Sequence, residues 1–472
     1  MLYHINIVLC VEFKILNIHG DFMKKTLTLA LMLSSALCFQ ANAASLFEAM
    51  ADAYKHNPTL QGQRAYLRSV DENVAIAKSG YRPNIYLNGS YSDSHIHNDK
   101  QPVNDGYTKA VAAVLSQPIF NGFSTFNSVR AADKTVEAEQ SNLYNIEQEI
   151  LLAAGTAYLD VLRDESIVDL QKNNEKLLKK RLDETRERFD VGEVTRTDVS
   201  QAEARHSAAI SDRIAAEGNL AASKAVYIKI IGTTPSNLAE PTNMADMFPK
   251  NQDDALQYAY QNNYNLKAAK SRLEASDYTV SANNGALLPQ VSFDAKAARS
   301  KTEAINARDP ETNSFQWTVN MNIPLYNSGE TRAKIRQSKY KKWQAQEAVL
   351  EAERNMIATV ASSYEYMVAN ESRLQSVKDQ IKAYAIALDG VQQEEALGNR
   401  TVLDVLDAYQ ALLNSNVEEV RARRNYYVSG MALLVSMGKL TAKDLNLNAK
   451  FYDAEKHSKD TRNKWLSLSI DK

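Results

Sequence analysis

Four stretches of the chain alternate apolar and polar residues; the long stretches between them do not. In "FQWTVNMNIP", Phe315, Trp317, Val319, Met321 and Ile323 alternate with Gln316, Thr318, Asn320 and Asn322. "QVSFDAKA" sets Val291, Phe293, Ala295 and Ala297 against Ser292, Asp294 and Lys296. "NIYLNGSYS", from Asn84 to Ser92, alternates acceptably, and "YTKAVAAVLSQP", from Tyr107 to Pro118, does so weakly. A period of two predicts strands with one apolar and one polar face. One such segment also fits a half-buried strand of a soluble sheet. Two matched hairpins, at about 84–120 and 290–324, instead favour strands of an outer-membrane barrel.

The remaining pattern is helical. Stretches at about 46–80 and 253–285 end at Pro83 and Pro289, where the period switches. Thr125 to Arg188 and Gly329 to Ala396 contain no proline and little glycine. A single straight helix of that length spans roughly 95 Å. In the second, Leu374, Val377, Ile381, Tyr384, Leu388 and Val391 form a heptad seam. Shorter return helices follow at about 196–230 and 402–437, and in the latter Leu406, Leu413, Val420 and Tyr427 recur every seven residues.

The two series are one plan written twice. At an offset of 206 residues, Tyr54 falls on Tyr260, Pro83 on Pro289, Asn121 on Asn327, Gly192 on Gly398, Asp198 on Asp404 and Gly232 on Gly438. A fixed offset over so long a span predicts an internal two-fold repeat. The expected divisions are a leader at 1–43, a first repeat at 44–240, a linker at 241–252, a second repeat at 253–445 and a polar tail at 446–472.

Charge and composition narrow the class. The 472 residues carry 55 basic and 57 acidic side chains, without a strongly basic block, so nucleic acid is not an expected partner. The longest basic run, Lys179-Lys180-Arg181, fits a solvated helix face. Met23-Lys24-Lys25, an apolar core and Ala41-Asn42-Ala43 describe a secretory signal cut after Ala43, with Met23 the expected true start. Both cysteines, Cys10 and Cys38, precede that cut, so the mature chain is expected to lack a disulfide or thiolate metal site. Leu37 before Cys38 matches a lipoprotein cleavage site poorly. After residue 43 no run of about 18 apolar residues occurs. An exported chain without a spanning helix is either soluble or crosses the membrane as a barrel.

The phrase "VGEVTRTDV" at Val191–Val199 returns as "LGNRTVLDV" at Leu397–Val405. Gly192 and Gly398 fall where a long helix must stop, and glycine supplies the positive φ that closes it. Thr195-x-x-Asp198 and Thr401-x-x-Asp404 resemble capping boxes, with Asp in place of Glu or Gln. A turn between two helices explains much of the phrase. Arg400, Asp404 and Asp407, spaced i, i+4 and i+7, are further expected to share a helix face and form a functional constellation.

Strand hairpin, long helix, "VGxxTxTDV" turn, short helix, then the same order with "LGNRTVLDVLDA", resembles the TolC-like outer membrane factor family over nearly all of residues 46–445. The resemblance implies a membrane α+β fold: a trimeric twelve-stranded β-barrel, four strands per chain, continued by a long α-helical coiled-coil barrel. It implies a homotrimeric passive duct in the outer membrane of a Gram-negative bacterium, reaching into the periplasm. Its implied partners are outer-membrane lipid, a periplasmic adaptor protein and an ABC-type or RND-type inner-membrane pump. The implied cargo is small molecules in efflux or proteins in type I secretion. By the same resemblance, Gly192 and Gly398 mark the tip turns where the adaptor docks. Thr197, Asp198 and Arg400 correspond to the network that closes the aperture, and Asp404 and Asp407 to its acidic ring. The family's best-studied members carry a tyrosine three residues before the second glycine. Here Glu395 stands there, and a salt bridge from it to an arginine of a neighbouring chain is the expected substitute.

Two other classes compete. A periplasmic coiled-coil scaffold without a pore would keep the heptads but leave the strands unexplained. An enzyme finds little support: the chain has no G-x-x-x-x-G-K-[ST] and no G-x-G-x-x-G, and no cofactor is expected. His95 and His97 could hold a metal loosely, but no further ligands cluster beside them. His206 reads as a surface residue.

Overall fold

The computed structural model describes residues 45–98, 101–241, 244–304 and 311–470. The leader, with Met23, Cys10 and Cys38, lies outside the described residues. Each repeat begins with two helices: α1 (Leu46–His56) and α2 (Pro58–Lys78) in the first. The first repeat continues with β1 (Asn84–Asn98), β2 (Gln101–Asn121), α3 (Ser124–Asp190) and α4 (Arg196–Ile231). The second comprises α5 (Gln252–Asn262), α6 (Tyr264–Gly285), β3 (Gln290–Ala304), β4 (Glu311–Asn322), α7 (Glu330–Ala396) and α8 (Val402–Met437). A final helix, α9 (Ala454–Thr461), follows.

The opening helical stretch of each repeat is broken, a feature that apolar periodicity did not reveal. Asn57 ends α1 and caps α2, its side-chain oxygen accepting from the Thr59 amide at 3.0 Å. Its side-chain nitrogen donates to the Ile230 carbonyl at 3.0 Å. Asn263 repeats the arrangement, accepting from Leu266 at 3.0 Å and donating to the Ser436 carbonyl at 2.8 Å. One asparagine thus ends a helix, starts the next and ties both to the end of the return helix.

Around these breaks lies the main core. Met50, Leu60, Leu67, Leu151, Tyr158, Ile231, Leu266, Met431 and Leu434 are among its fully buried side chains. Each large apolar side chain removed from water contributes about 1.5–3 kcal/mol. Gly155 admits Met50 and Met431 here, because a Cβ at that position would lie 2.6 Å from the Met50 methyl.

The long helices α3 and α7 have 67 residues each, about 100 Å if straight. They are unequally covered. α3 packs against α1, α2, α4, α6 and α8, whereas α7 packs against α5, α6 and α8. Accordingly α7 leaves Tyr340, Trp343, Leu350, Ile357, Tyr366 and Ile386 open to solvent.

The four strands form one antiparallel sheet in the order β1-β2-β3-β4. Its register aligns Ile85, Leu115, Ala295 and Trp317 in one row, and Leu87, Ala113, Ala297 and Phe315 in another. These rows share an apolar face that is open in the single chain: Leu87 is 72% exposed and Phe315 75%. The opposite face is polar. There Asp294 accepts from Ser116 at 2.5 Å, Ser292 at 2.9 Å and Asn320 at 2.8 Å. The weakly alternating segment 107–118 lies in the interior of β2, where residues 107–116 are paired on both sides. Neighbouring strands supplied what its own pattern lacked. At the foot of the sheet, Gly122 (φ 64°) meets Gly285 so closely that a Cβ on either would strike the other's carbonyl oxygen.

The tail is not merely polar. Leu447, Ala454 and Thr461 are buried, and α9 packs against α2. His457 Nδ1 lies 2.7 Å from the carboxylate of the fully buried Asp71.

Candidate functional site

At the end of the molecule away from the sheet, the two repeated phrases form two nearly identical turns. After α3, Gly192 takes φ +82°, its amide donating to the Phe189 carbonyl and the Glu193 amide to Arg188, both at 2.9 Å. After α7, Gly398 takes φ +78°, and Gly398 and Asn399 donate to Glu395 and Glu394, again at 2.9 Å. This double bond around a left-handed glycine is a Schellman closure. Three residues later each return helix is capped. Asp198 accepts from the Thr195 amide at 2.9 Å and hydroxyl at 2.7 Å. Asp404 accepts from Thr401 at 2.9 Å and 2.8 Å in the same way. Shortened by one methylene, aspartate still closes the box.

These bonds bear on the acidic residues. The Thr401 amide and hydroxyl hold the Asp404 carboxyl below the usual carboxylate range, with a smaller contribution from Arg400. Arg400 does not share a helix face with Asp404 and Asp407. The helix starts at Val402, so Arg400 lies in the preceding turn, where it donates to Glu394 at 2.8 Å. Asp407, exposed on the second turn of α8, accepts from Arg205 of α4 at 2.6 Å. Thr197 lies exposed in the first turn of α4.

The two turns are tied across the repeats. Arg188 donates to Glu395 at 2.5 Å and to Glu193 at 3.2 Å, and the Glu395 bond raises the Arg188 pKa. Within the single chain, Glu395 is thus already paired with an arginine of the other repeat. Above it, Arg181 donates to the Tyr409 hydroxyl at 3.2 Å, and Gln392 also donates to that hydroxyl. Leu178, Ala209 and Leu406 form a small buried cluster beside these bonds. Arg188, Arg205, Gln392, Glu394 and Tyr409 were not singled out by sequence pattern, and Arg181, read as part of a solvated basic run, is instead half-buried against Tyr409. The three arginines find their partners across the repeats, whereas Gln392 and Glu394 bond within the second, and only the loss of repeat symmetry, such as Arg188 against Glu394, hinted at them.

Elsewhere the chemistry is sparse. His95 is exposed, with Asp93 3.7 Å away, while the His97 side chain lies outside the described residues. Among the described residues no cluster of three or more His, Cys, Asp or Glu could hold a metal ion. No described helix is long and apolar enough to cross a membrane.

Comparison with known proteins bears on the family and the fold. A family model described as outer membrane efflux protein matches twice, at residues 49–233 and 255–439. The chain is 37% identical to the outer membrane efflux protein BepC of Brucella suis biovar 1, over 94% of this chain and 97% of that protein. It is 26% identical to the outer membrane protein TolC of Escherichia coli K12, over 90% and 88% of the two chains. The solved structure of the Campylobacter jejuni CmeC outer membrane channel superposes with a TM-score of 0.72 at 16% identity, covering 89% of each chain.

Proposed function

The chain belongs to the outer membrane efflux protein family, and from that premise we infer how its architecture works. The protein is an outer-membrane exit duct of a Gram-negative bacterium, for efflux or type I secretion. The observation that carries the mechanism is the sheet. It has four strands, one apolar face and one polar face, and both edge strands have an unpaired side among the described residues. Four strands cannot close, because barrels in membranes need about eight or more. Three copies supply twelve, the apolar rows meet lipid, and Asp294 and its hydrogen-bond donors line the lumen. The same assembly covers the apolar side chains that α7 leaves open, such as Tyr340, Trp343 and Ile386, and continues the barrel as a helical tube across the periplasm.

At the far end of that tube, the tip turns at Gly192 and Gly398 receive a periplasmic adaptor, which an inner-membrane pump of ABC or RND type drives. The duct itself is passive. Asp404 and Asp407 of three chains place six carboxylates around the aperture, a ring that favours cations and repels anions. In the closed form Arg205 offsets Asp407, and Arg188–Glu395 holds the two arms together. Asp198 and Thr197 belong to the first turn of this closure and Arg400 to the second. Opening requires the α7–α8 pair to part from α3–α4, breaking the arginine ties.

The native mass of detergent-extracted protein from outer membranes tests the assembly. A threefold multiple of the mature chain is expected. A monomer would leave the strand edges open and would favour a scaffold without a pore.

A further inference from the structure

The C-terminal segment climbs toward the sheet. The Ala454 carbonyl accepts from Gln140 at 3.2 Å, Arg462 pairs with Asp133, and the Lys464 carbonyl accepts from Arg82 at 3.5 Å. Gln140 and Asp133 lie progressively nearer the start of α3, which follows β2 directly. Arg82 lies two residues before β1. The Arg82 guanidinium also stacks on Trp465, 4.5 Å from the ring centroid. Beyond this clamp, Leu466, Leu468 and Ile470 are 94%, 101% and 81% exposed. They alternate with Ser467 and Ser469, whose hydroxyls lie 2.7 Å apart. The foot of the sheet carries its own open collar of Tyr81, Ile119, Phe123, Leu325 and Tyr326.

We propose that Trp465–Ile470 is a membrane-interface anchor that lays Leu466, Leu468 and Ile470 into the inner leaflet of the outer membrane. The inference rests on the duct reading, which puts the foot of the sheet at the periplasmic boundary of the bilayer. Three observations select lipid as the occupant. The segment continues from the collar at the foot of the lipid-facing sheet, it carries no charge between Trp465 and Ile470, and it begins with a tryptophan stacked on a cation. Tryptophan concentrates at the level of lipid headgroups, and apolar side chains of a surface-lying segment sink just below them.

Both native cysteines precede residue 44, so single labels can be placed on the full mature chain. An environment-sensitive fluorophore on L468C is read in vesicles of phosphatidylethanolamine and phosphatidylglycerol, with F315C on the outward sheet face as reference. Quenching of L468C by lipid spin-labelled near the headgroup, with loss of quenching by aqueous iodide, is the expected result. Iodide access at L468C, alongside lipid quenching at F315C, would overturn the anchor while leaving the duct intact. Protection of L468C from both quenchers would also overturn it, placing a neighbouring copy of the chain over the segment. Absence of lipid quenching at F315C would remove the duct reading itself, and the anchor with it.

Discussion

The two tip turns make the same backbone bonds with different side chains. Both close on a left-handed glycine, and both cap the return helix with threonine and aspartate at matching distances. Around this shared frame the charges diverge. Arg188 and Phe189 of the first turn stand where the second has Glu394 and Glu395, and Gln201 and Glu203 stand where the second has Asp407 and Tyr409. The first repeat thereby supplies the donors Arg181, Arg188 and Arg205, and the second supplies the acceptors Tyr409, Glu395 and Asp407. Reversing a helix needs only a few residues in special conformations. Once those are in place, the remaining positions can specialise, and two copies of one turn become the halves of a clasp.

The most forceful way to break this asymmetry is to remove the donors. Each arginine tie is partly exposed, which limits its contribution to on the order of 1 kcal/mol. Losing two shifts the balance between closed and open tips roughly thirtyfold. R188A combined with R205A is therefore expected to raise leak through single channels in planar bilayers by about that factor. E395A alone should produce a smaller rise, and the exchanged pair R188E with E395R should return conductance toward the parent. Unchanged leak in the double variant would mean that the ties do not hold the aperture.

A smaller effect tests what the turns share. Neither Gly192 nor Gly398 has any atom within 4 Å of the place a Cβ would occupy. Alanine at either position therefore meets only the backbone cost of the left-handed conformation, roughly 1 kcal/mol. Hydrogen exchange over residues 186–200 and 392–406 should accelerate to the same extent in G192A and G398A. Unequal acceleration would show that one turn is held by contacts the other lacks.

Much of this frame was legible from residue type and spacing, and much of the clasp was not. Glycine followed by Thr-x-x-Asp is a local signal, because closure and cap are both completed within a few residues. The strands around Phe315 and Val291 were equally local, since alternation on an open face is undisturbed by other packing. The clasp depends on partners about 200 residues apart, and a single sequence contains no statement of which arginine meets which acid. Arg400 illustrates the hazard: i, i+4 and i+7 spacing implies a shared face only if the helix has already begun, and here Thr401 is the cap and Val402 the first helical residue. The helix breaks had a signal in Asn57-Pro58, but the equivalent Asn263 precedes a tyrosine. The docked tail had none, because Asp71 and His457 meet only after the whole chain has folded.

The smallest expected effect concerns acid. The folded structure lowers the Asp404 pKa through the Thr401 amide and hydroxyl. Its contribution to the second turn is therefore fully present above the unfolded carboxylate value and is lost as pH falls through the lower folded value. Exchange of the Thr401 and Asp404 amides, corrected for intrinsic rates, should rise only in that acidic window. In D404N, which keeps an acceptor but cannot ionise, the rise should disappear. Arg400 adds to the lowering, and Val194 holds its place in the first turn. R400A should consequently move the acid response of the second turn upward in pH by a small amount. A response in R400A identical to the parent would confine Arg400 to its bond with Glu394, and the two caps would then differ in nothing but their surroundings.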